Sequence, residues 1–343
     1  MPNYNLALLG FGNVGRALAH LLQHKETELQ NRYGITFRVT GIATRHHGAA
    51  INPDGLDTVR AIGQVESGES LESLSKIHVQ DNLQFLRNCG ADVLFENTPV
   101  NHQTGQPAID HLHLALELGM HAITANKGPV VHAYRELTEL AKAKNKKFFF
   151  ESTVMDGAPI FSLFRTALPA VQLLGFRGIL NSTTNLILGC MEKGESFDEA
   201  IKVAQSAGLA ETDPAADVDG WDAAIKVAIL ITVLMDIPFT PQQVERTGIR
   251  LITPEMVAQA NPQGKRWKLV CSAERAGSLA KGRVAPELVS RTSSLYRIDG
   301  ATSLVEFKTD VLGDLSITET DPTPACTAYG LLADFINAVW SVV

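Results

Sequence analysis

The chain has 343 residues, 45% hydrophobic and 20% charged, too many for one ordinary domain and suited to two globular domains with sizeable cores. A formal net charge of −7, with 30 basic residues that form no dense run beyond a short patch at Lys142 to Lys147, argues against nucleic acid as a partner. The longest apolar run, Val227 to Met235, is far short of a membrane span, no basic region with a cleavable apolar stretch opens the chain, and Cys89, Cys190, Cys271 and Cys326 lack metal spacing, which points to reduced thiols in a cytoplasm.

Residues 5–9 predict a short buried strand that runs directly into Gly10-Phe11-Gly12-Asn13-Val14-Gly15. Residues 16–33 predict a helix, with Ala17, Leu18, Leu21 and Leu22 at helical spacing, and 37–44 a second strand. The stretch 50–90 is polar and irregular, with helices near 56–66 and 81–88. A strand at 92–96 ends in Asn97-Thr98-Pro99, and a helix over 105–118 stops at Gly119. A strand at 121–125 ends in a turn, Asn126-Lys127-Gly128-Pro129, before a helix at 134–144 and a strand at 147–151. Such alternation implies an α/β fold, a parallel sheet covered on both faces.

After about residue 150 the rhythm changes. A long strand over 171–180 precedes helices near 183–193, 197–207 and 221–236, a helix start at Thr253-Pro254-Glu255, and strands near 266–273, 283–291, 303–309 and 313–318. That mixture predicts an α+β second domain. An apolar helical pattern from 322 or 323 to 339 closes the chain, and the first domain is a reasonable place for it to dock. The expected boundaries are therefore 1–150 completed by 322–343, and 151–321.

A lone G-x-G-x-x-G is a weak signal, but here it sits between a strand and a helix near the N-terminus, the context of a dinucleotide fingerprint. Gly10 permits a tight turn, Gly12 lets the backbone approach a pyrophosphate, and Gly15 lets the helix lie close to the sheet, while the helix N-terminus supplies N–H groups and positive potential. The second strand lacks the acid that would hold a ribose 2′-hydroxyl. Thr44 and Arg45 stand there instead, which suits the extra phosphate of NADP, although a solvated loop arginine would look the same and NAD stays open. Asn97, Thr98 and Lys127 follow strand ends, where open α/β sheets bind ligands.

The densest chemistry lies at Glu211-Thr-Asp-Pro-Ala-Ala-Asp217-Val-Asp219-Gly-Trp-Asp222-Ala-Ala-Ile-Lys226. Several carboxylates and a lysine collect at the start of an apolar helix, and Asp222 and Lys226, four apart, share one helix face. Helix N-termini favour acids, which accounts for one or two of them but poorly for the set with its lysine; a small, polar, charged substrate does so better. Asp213 and Asp217 are read as caps or structural partners, and the histidines, His102 and His111 among them, as ordinary loop or core residues.

With these segments, and with Thr124-Ala-Asn-Lys127, Glu151-Ser-Thr-Val154, Gly178-Ile-Leu-Asn181 and Thr183-Thr184-Asn185, the chain resembles the homoserine dehydrogenase family over nearly its whole length. The resemblance implies a Rossmann-type dinucleotide-binding domain with an α+β substrate and dimerisation domain, a homodimer, and interconversion of L-homoserine and L-aspartate 4-semialdehyde with NAD(P)(H), a step of threonine and methionine biosynthesis. It implies that Glu211 grips the substrate ammonium, that Asp222 is a substrate-site carboxylate partnered with Lys226, and that Lys226 and Lys127 stand at the reacting centre, with Lys127 favoured as the acid–base group. It also implies a monovalent cation such as sodium at Glu151, Val154, Asp156 and Ala158. The sequence departs from the family pattern at Met155-Asp156-Gly157-Ala158, at Ser182 and at Thr318-Glu-Thr-Asp-Pro322, each where glycine-rich sequence is usual. A reductase of another amino-acid semialdehyde or keto acid, and a dinucleotide-binding regulator without turnover, are the competing readings.

Overall fold

The computed structural model describes residues 2–340. The chain divides into two compact units, one running to Pro159 and resuming at Thr323, the other spanning Ile160–Pro322. In the first unit β1 (Asn3–Leu9) leads into α1 (Asn13–Tyr33), followed by β2 (Thr36–Ala43), β3 (Ala49–Ile51), α2 (Thr58–Glu66) and α3 (Asn82–Asn88). Then come β4 (Val93–Glu96), α4 (Ala108–Glu117), β5 (His121–Thr124), α5 (Lys127–Ala143) and β6 (Phe148–Phe149). The sheet order is β3-β2-β1-β4-β5-β6. Its strands are parallel except β3, which pairs antiparallel with β2 and forms an edge. The order reverses between β2–β1 and β4, so the carboxyl ends of β1 and β4 form the switch point where such sheets take ligands.

The second unit holds β7 (Leu173–Ile179), α6 (Ser182–Glu192), α7 (Phe197–Ser206), α8 (Ala215–Val218) and α9 (Trp221–Leu234). It continues with β8 (Glu245–Arg246), α10 (Pro254–Ala260), β9 (Lys265–Ala276), β10 (Leu279–Ser290), β11 (Ser303–Thr309) and β12 (Asp314–Glu319). Its sheet runs β12-β11-β7-β9-β10-β8 and is antiparallel but for the short β10–β8 pair. Helix α9 is apolar nearly all round because its interior is buried: Ala223 to Ile225 and Val227 to Thr232 are all inside, and Val227 and Ile231 pack over Gly282 of β10.

The last helix, α11 (Pro324–Val339), returns to the first unit. Ala328, Leu331, Leu332 and Phe335 join the core formed by Leu6, Leu8, Leu18, Leu22 and Phe95. Positions 341–343 of the expected C-terminal segment lie outside the described residues. The boundary falls near 159 instead of 150, because α11 pulls the segment after β6 into the first unit. The Ser152 hydroxyl donates to the Thr327 carbonyl at 2.7 Å, and the Asp334 carboxylate accepts the Glu151 N–H at 2.7 Å.

Candidate active site

The candidate dinucleotide site lies in the first unit. Gly10 has φ +97°, and a Cβ there would stand 2.3 Å from the Asn97 carbonyl oxygen; a Cβ on Gly15 would stand 2.4 Å from the Gly10 carbonyl. Only glycine permits β1, β4 and α1 to approach this closely. Gly12 caps α1 without a side-chain hydrogen bond, and the first turn from Asn13 holds no acid, so a helix of 21 residues offers its N–H groups and dipole to an anion. Phe11 is buried, whereas Val14 packs at the edge of the same core.

Beside this turn opens a cavity of about 650 Å³ lined by Leu9, Gly10, Thr44, Arg45, Thr98 and His102, with Asn82, Asn101 and His111 on the same wall. Arg45 is exposed at its mouth, past the end of β2. Both polar atoms of the Asn97 amide are buried without a hydrogen-bond partner among the described residues, a cost that a ligand amide or hydroxyl would relieve. Capless helix, close-approach glycines, orphaned amide and basic rim all fit a dinucleotide. His102 and His111, read from the sequence as ordinary histidines, line the cavity.

Lys127 is the first residue of α5, which breaks at Ala133 (φ −138°, ψ 19°); the part beyond the kink is the helix expected from 134, and the part before it, Lys127 to His132, replaces the expected turn. Asn126 caps the helix by accepting the Gly128 N–H at 3.0 Å, and Pro129 is tolerated because first-turn N–H groups have no helical partner. The half-buried Lys127 therefore stands at the N-terminus of the short helical stretch before a kink at Ala133, whose first-turn N–H groups add to its own positive potential.

A lysine–carboxylate cluster lies in the second unit. Lys226 and Asp222, on one face of α9 as their spacing requires, are 3.4 Å apart, with side chains only 14% and 13% exposed. The Lys226 ammonium also donates to the Leu180 carbonyl at 2.5 Å. Asn181, the cap of α6, donates to Asp217 at 2.6 Å and to Asp222 at 3.1 Å. Burial and the neighbouring Asp222 push the Asp217 carboxyl above the usual range. Asp217 is thus part of the cluster as well as structural, and Asn181 is the residue that joins the two acids. The only hint in the sequence was an asparagine at a strand-to-helix junction, a common cap. Asp213 does act locally, accepting the Ala215 N–H at 3.0 Å, and Asp219 is held by Arg250. Glu211 lies exposed on the loop before α8, its carbonyl held by Gln205 at 3.1 Å. Burial pushes the Cys271 thiol up to about 12, leaving it an uncharged wall near Leu180.

The residues expected to hold a cation lie in the first unit, in the segment under α11. Glu151, Val154 and Ala158 are buried, and the Asp156 carboxylate accepts the Thr327 hydroxyl at 2.7 Å. Among the described residues no three His, Cys, Asp or Glu side chains converge as a metal-ligand set.

A doubly wound sheet with a dinucleotide crevice, joined to a unit carrying a half-buried lysine–carboxylate pair, defines a nicotinamide-dependent oxidoreductase. Residues 10–151 match the family model "Homoserine dehydrogenase, NAD binding domain" and residues 159–336 match "Homoserine dehydrogenase". The chain belongs to the homoserine dehydrogenase family. It is 36% identical over 339 residues to the NAD(+)-dependent homoserine dehydrogenase of Pseudomonas canavaninivorans, covering 98% of this chain and 96% of that one. It is also 36% identical to the homoserine dehydrogenase of Methanocaldococcus jannaschii, covering 97% and 98%. Among solved structures, a putative homoserine dehydrogenase from Archaeoglobus fulgidus superposes with a TM-score of 0.87 at 29% identity, covering 98% of this chain and all of that one. A hyperthermophilic archaeal homoserine dehydrogenase in complex with NADPH gives 0.83 at 28% identity, covering 98% of each.

Proposed function

We propose that the chain interconverts L-homoserine and L-aspartate 4-semialdehyde, with NADP preferred over NAD. The observation that carries this reading is the Asp217–Asn181–Asp222–Lys226 chain of contacts, a set of charges matched to a small zwitterion. The bound nicotinamide supplies or accepts the hydride. Reduction of the aldehyde builds negative charge on its oxygen, and an ammonium group within reach stabilises that charge and can deliver a proton. Lys127 takes that acid–base role here. Asp222 and the Leu180 carbonyl fix the direction of the Lys226 ammonium, which positions the substrate. Glu211 grips the substrate ammonium, and Gly10 to Gly15 with Thr44, Asn97 and Thr98 hold the dinucleotide.

Arg45 at the cavity mouth, with no acid at the end of β2, is what favours NADP. The reading includes a monovalent cation such as sodium at Glu151, Val154, Asp156 and Ala158, tested by activity across a sodium series. It includes a homodimer, for which light scattering should give twice the 37.1 kDa chain mass. A cytoplasmic setting is supported by four free cysteines. The decisive experiment follows nicotinamide absorbance with homoserine and each dinucleotide in turn. Turnover with homoserine, with the larger kcat/KM for NADP, is expected. No turnover with either dinucleotide refutes the activity, and a larger kcat/KM with NAD refutes the preference.

A further inference from the structure

Behind the dinucleotide cavity the ends of two neighbouring strands are tied by a closed ring of hydrogen bonds. Glu96, the last residue of β4, is 0% exposed, as is Thr124, the last of β5. The Glu96 carboxylate receives three donors. The Thr98 N–H lies 3.1 Å from Oε1, the Thr98 hydroxyl reaches the same oxygen, and the Thr124 hydroxyl lies 3.0 Å from Oε2. The single Thr124 hydroxyl proton is shared between that oxygen and the Glu96 carbonyl at 2.8 Å, and the Thr124 oxygen accepts the Asn126 N–H at 2.9 Å. Asn126 closes the ring by donating from Nδ2 to the Thr98 carbonyl at 3.2 Å. His111 Nδ1 backs the carboxylate, 3.8 Å from Oε1.

A fully buried acid costs stability unless its lone pairs are used, and here they are used on two turns that carry the chemistry. Thr98 lines the dinucleotide cavity. Asn126 caps the helix that begins at Lys127. One carboxylate therefore sets the spacing between the cofactor-facing turn and the lysine.

We propose that Glu96, Thr124 and Asn126 form a positioning device that holds Lys127 in register with the cofactor turn. The inference rests on the role given to Lys127 above. These three are positioning residues; they act through Thr98 and Lys127.

The test is Thr124→Val, which deletes the hydroxyl at nearly constant volume, with Thr124→Ser as the rescue. Asn126→Ser, which keeps a capping oxygen but removes the donor to Thr98, opens the ring from the other side if Thr124→Val does not fold. Each is assayed as the full chain, for homoserine oxidation, with ordinary homoserine and with homoserine deuterated at its carbinol carbon. A misplaced reacting group costs up to about 100-fold in rate. The open-ring variants should lose about 10- to 100-fold in kcat, on the same basis. The homoserine KM should hold within about two-fold, since the substrate cluster lies in the other unit. The isotope effect on kcat should rise as hydride transfer becomes slower. Thr124→Ser should stay near the wild-type rate. A lower melting temperature with unchanged kcat and isotope effect, or equal losses in Thr124→Val and Thr124→Ser, overturns the proposal. A wild type inactive on homoserine refutes the proposed function instead, so the two failures are distinct.

Discussion

Lys268 of β9 is a buried cation in the second unit, and replacing it by methionine should change how stability depends on pH. Its side chain is 0% exposed. The ammonium donates to Asn185 Oδ1 at 2.8 Å and to the Ile298 carbonyl, with Asp299 at 3.7 Å. Burial, and then the neighbouring Arg266, lower its pKa from 10.5 to about 8. At 1.36 kcal/mol per pH unit that fall amounts to about 3 kcal/mol between the charged and neutral forms. The folded value lies below the unfolded one, so the unfolded chain holds more protons between about pH 8 and 10.5, and stability rises with pH through that window. Integrated from pH 7 to 9.5, Lys268 returns about 2 kcal/mol to the folded state. In Lys268→Met that gain is gone, while Asn185 and Ile298 each lose a donor, at about 1–3 kcal/mol apiece. Near neutral pH the two effects oppose each other. The diagnostic is the slope: urea unfolding of both proteins at pH 7, 8, 9 and 9.5 should show wild type gaining about 2 kcal/mol on the variant. Cys89 and Cys271, whose thiols burial pushes up to about 11 and about 12, destabilise the fold at high pH, but equally in both proteins. Two parallel stability curves would refute the reasoning.

Gly10→Ala must meet both a left-handed φ and the Asn97 carbonyl, so it should lose at least about 2 kcal/mol of stability, and with it dinucleotide binding, read by denaturant melts and calorimetry. Arg45→Ala should weaken NADP binding by about 1–3 kcal/mol, the value of a charge-assisted hydrogen bond, and leave NAD nearly unchanged; equal weakening of both removes Arg45 from the phosphate role. For Asp217→Asn the sign follows from a carboxyl whose folded pKa is raised: the folded state holds the proton longer, so wild type loses stability as pH rises through that interval. The asparagine variant should therefore melt higher at neutral pH, lose that advantage on acidification to about pH 4, where aspartate protonates anyway, and lose homoserine turnover; a neutral-pH melt at or below wild type counts against it.

Much of the architecture was legible because period and punctuation agree. Strand 171–180 and helix 183–193 emerge as Leu173–Ile179 and Ser182–Glu192, and the step from Asp222 to Lys226 yields the contact it implies on a helix. Two kinds of feature were not. The edge strand Ala49–Ile51 is three residues long and is specified by its pairing with β2, which leaves no periodic signal. The short helical stretch of α5 before its kink at Ala133 was hidden by Gly128 and Pro129, residues that read as a turn until the Asn126 cap is seen, whereas the stretch beyond the kink is the helix read from 134. The site divides in the same way. Residues joined by sequence spacing were found, whereas the bond of Asp217 to Asn181 spans thirty-six positions and that of Glu96 to Thr124 spans twenty-eight. Links across the fold leave no periodic trace in one chain.

In the proposed function the Lys226 ammonium, aimed by Asp222 and the Leu180 carbonyl, positions homoserine for reaction. Steady-state homoserine oxidation by Lys226→Ala, alongside calorimetric dinucleotide affinity, tests it directly. The expected result is at least about a 100-fold fall in kcat/KM, the scale of misplacing a substrate at the reacting centre, with dinucleotide affinity unchanged. Turnover within a few-fold of wild type would contradict it.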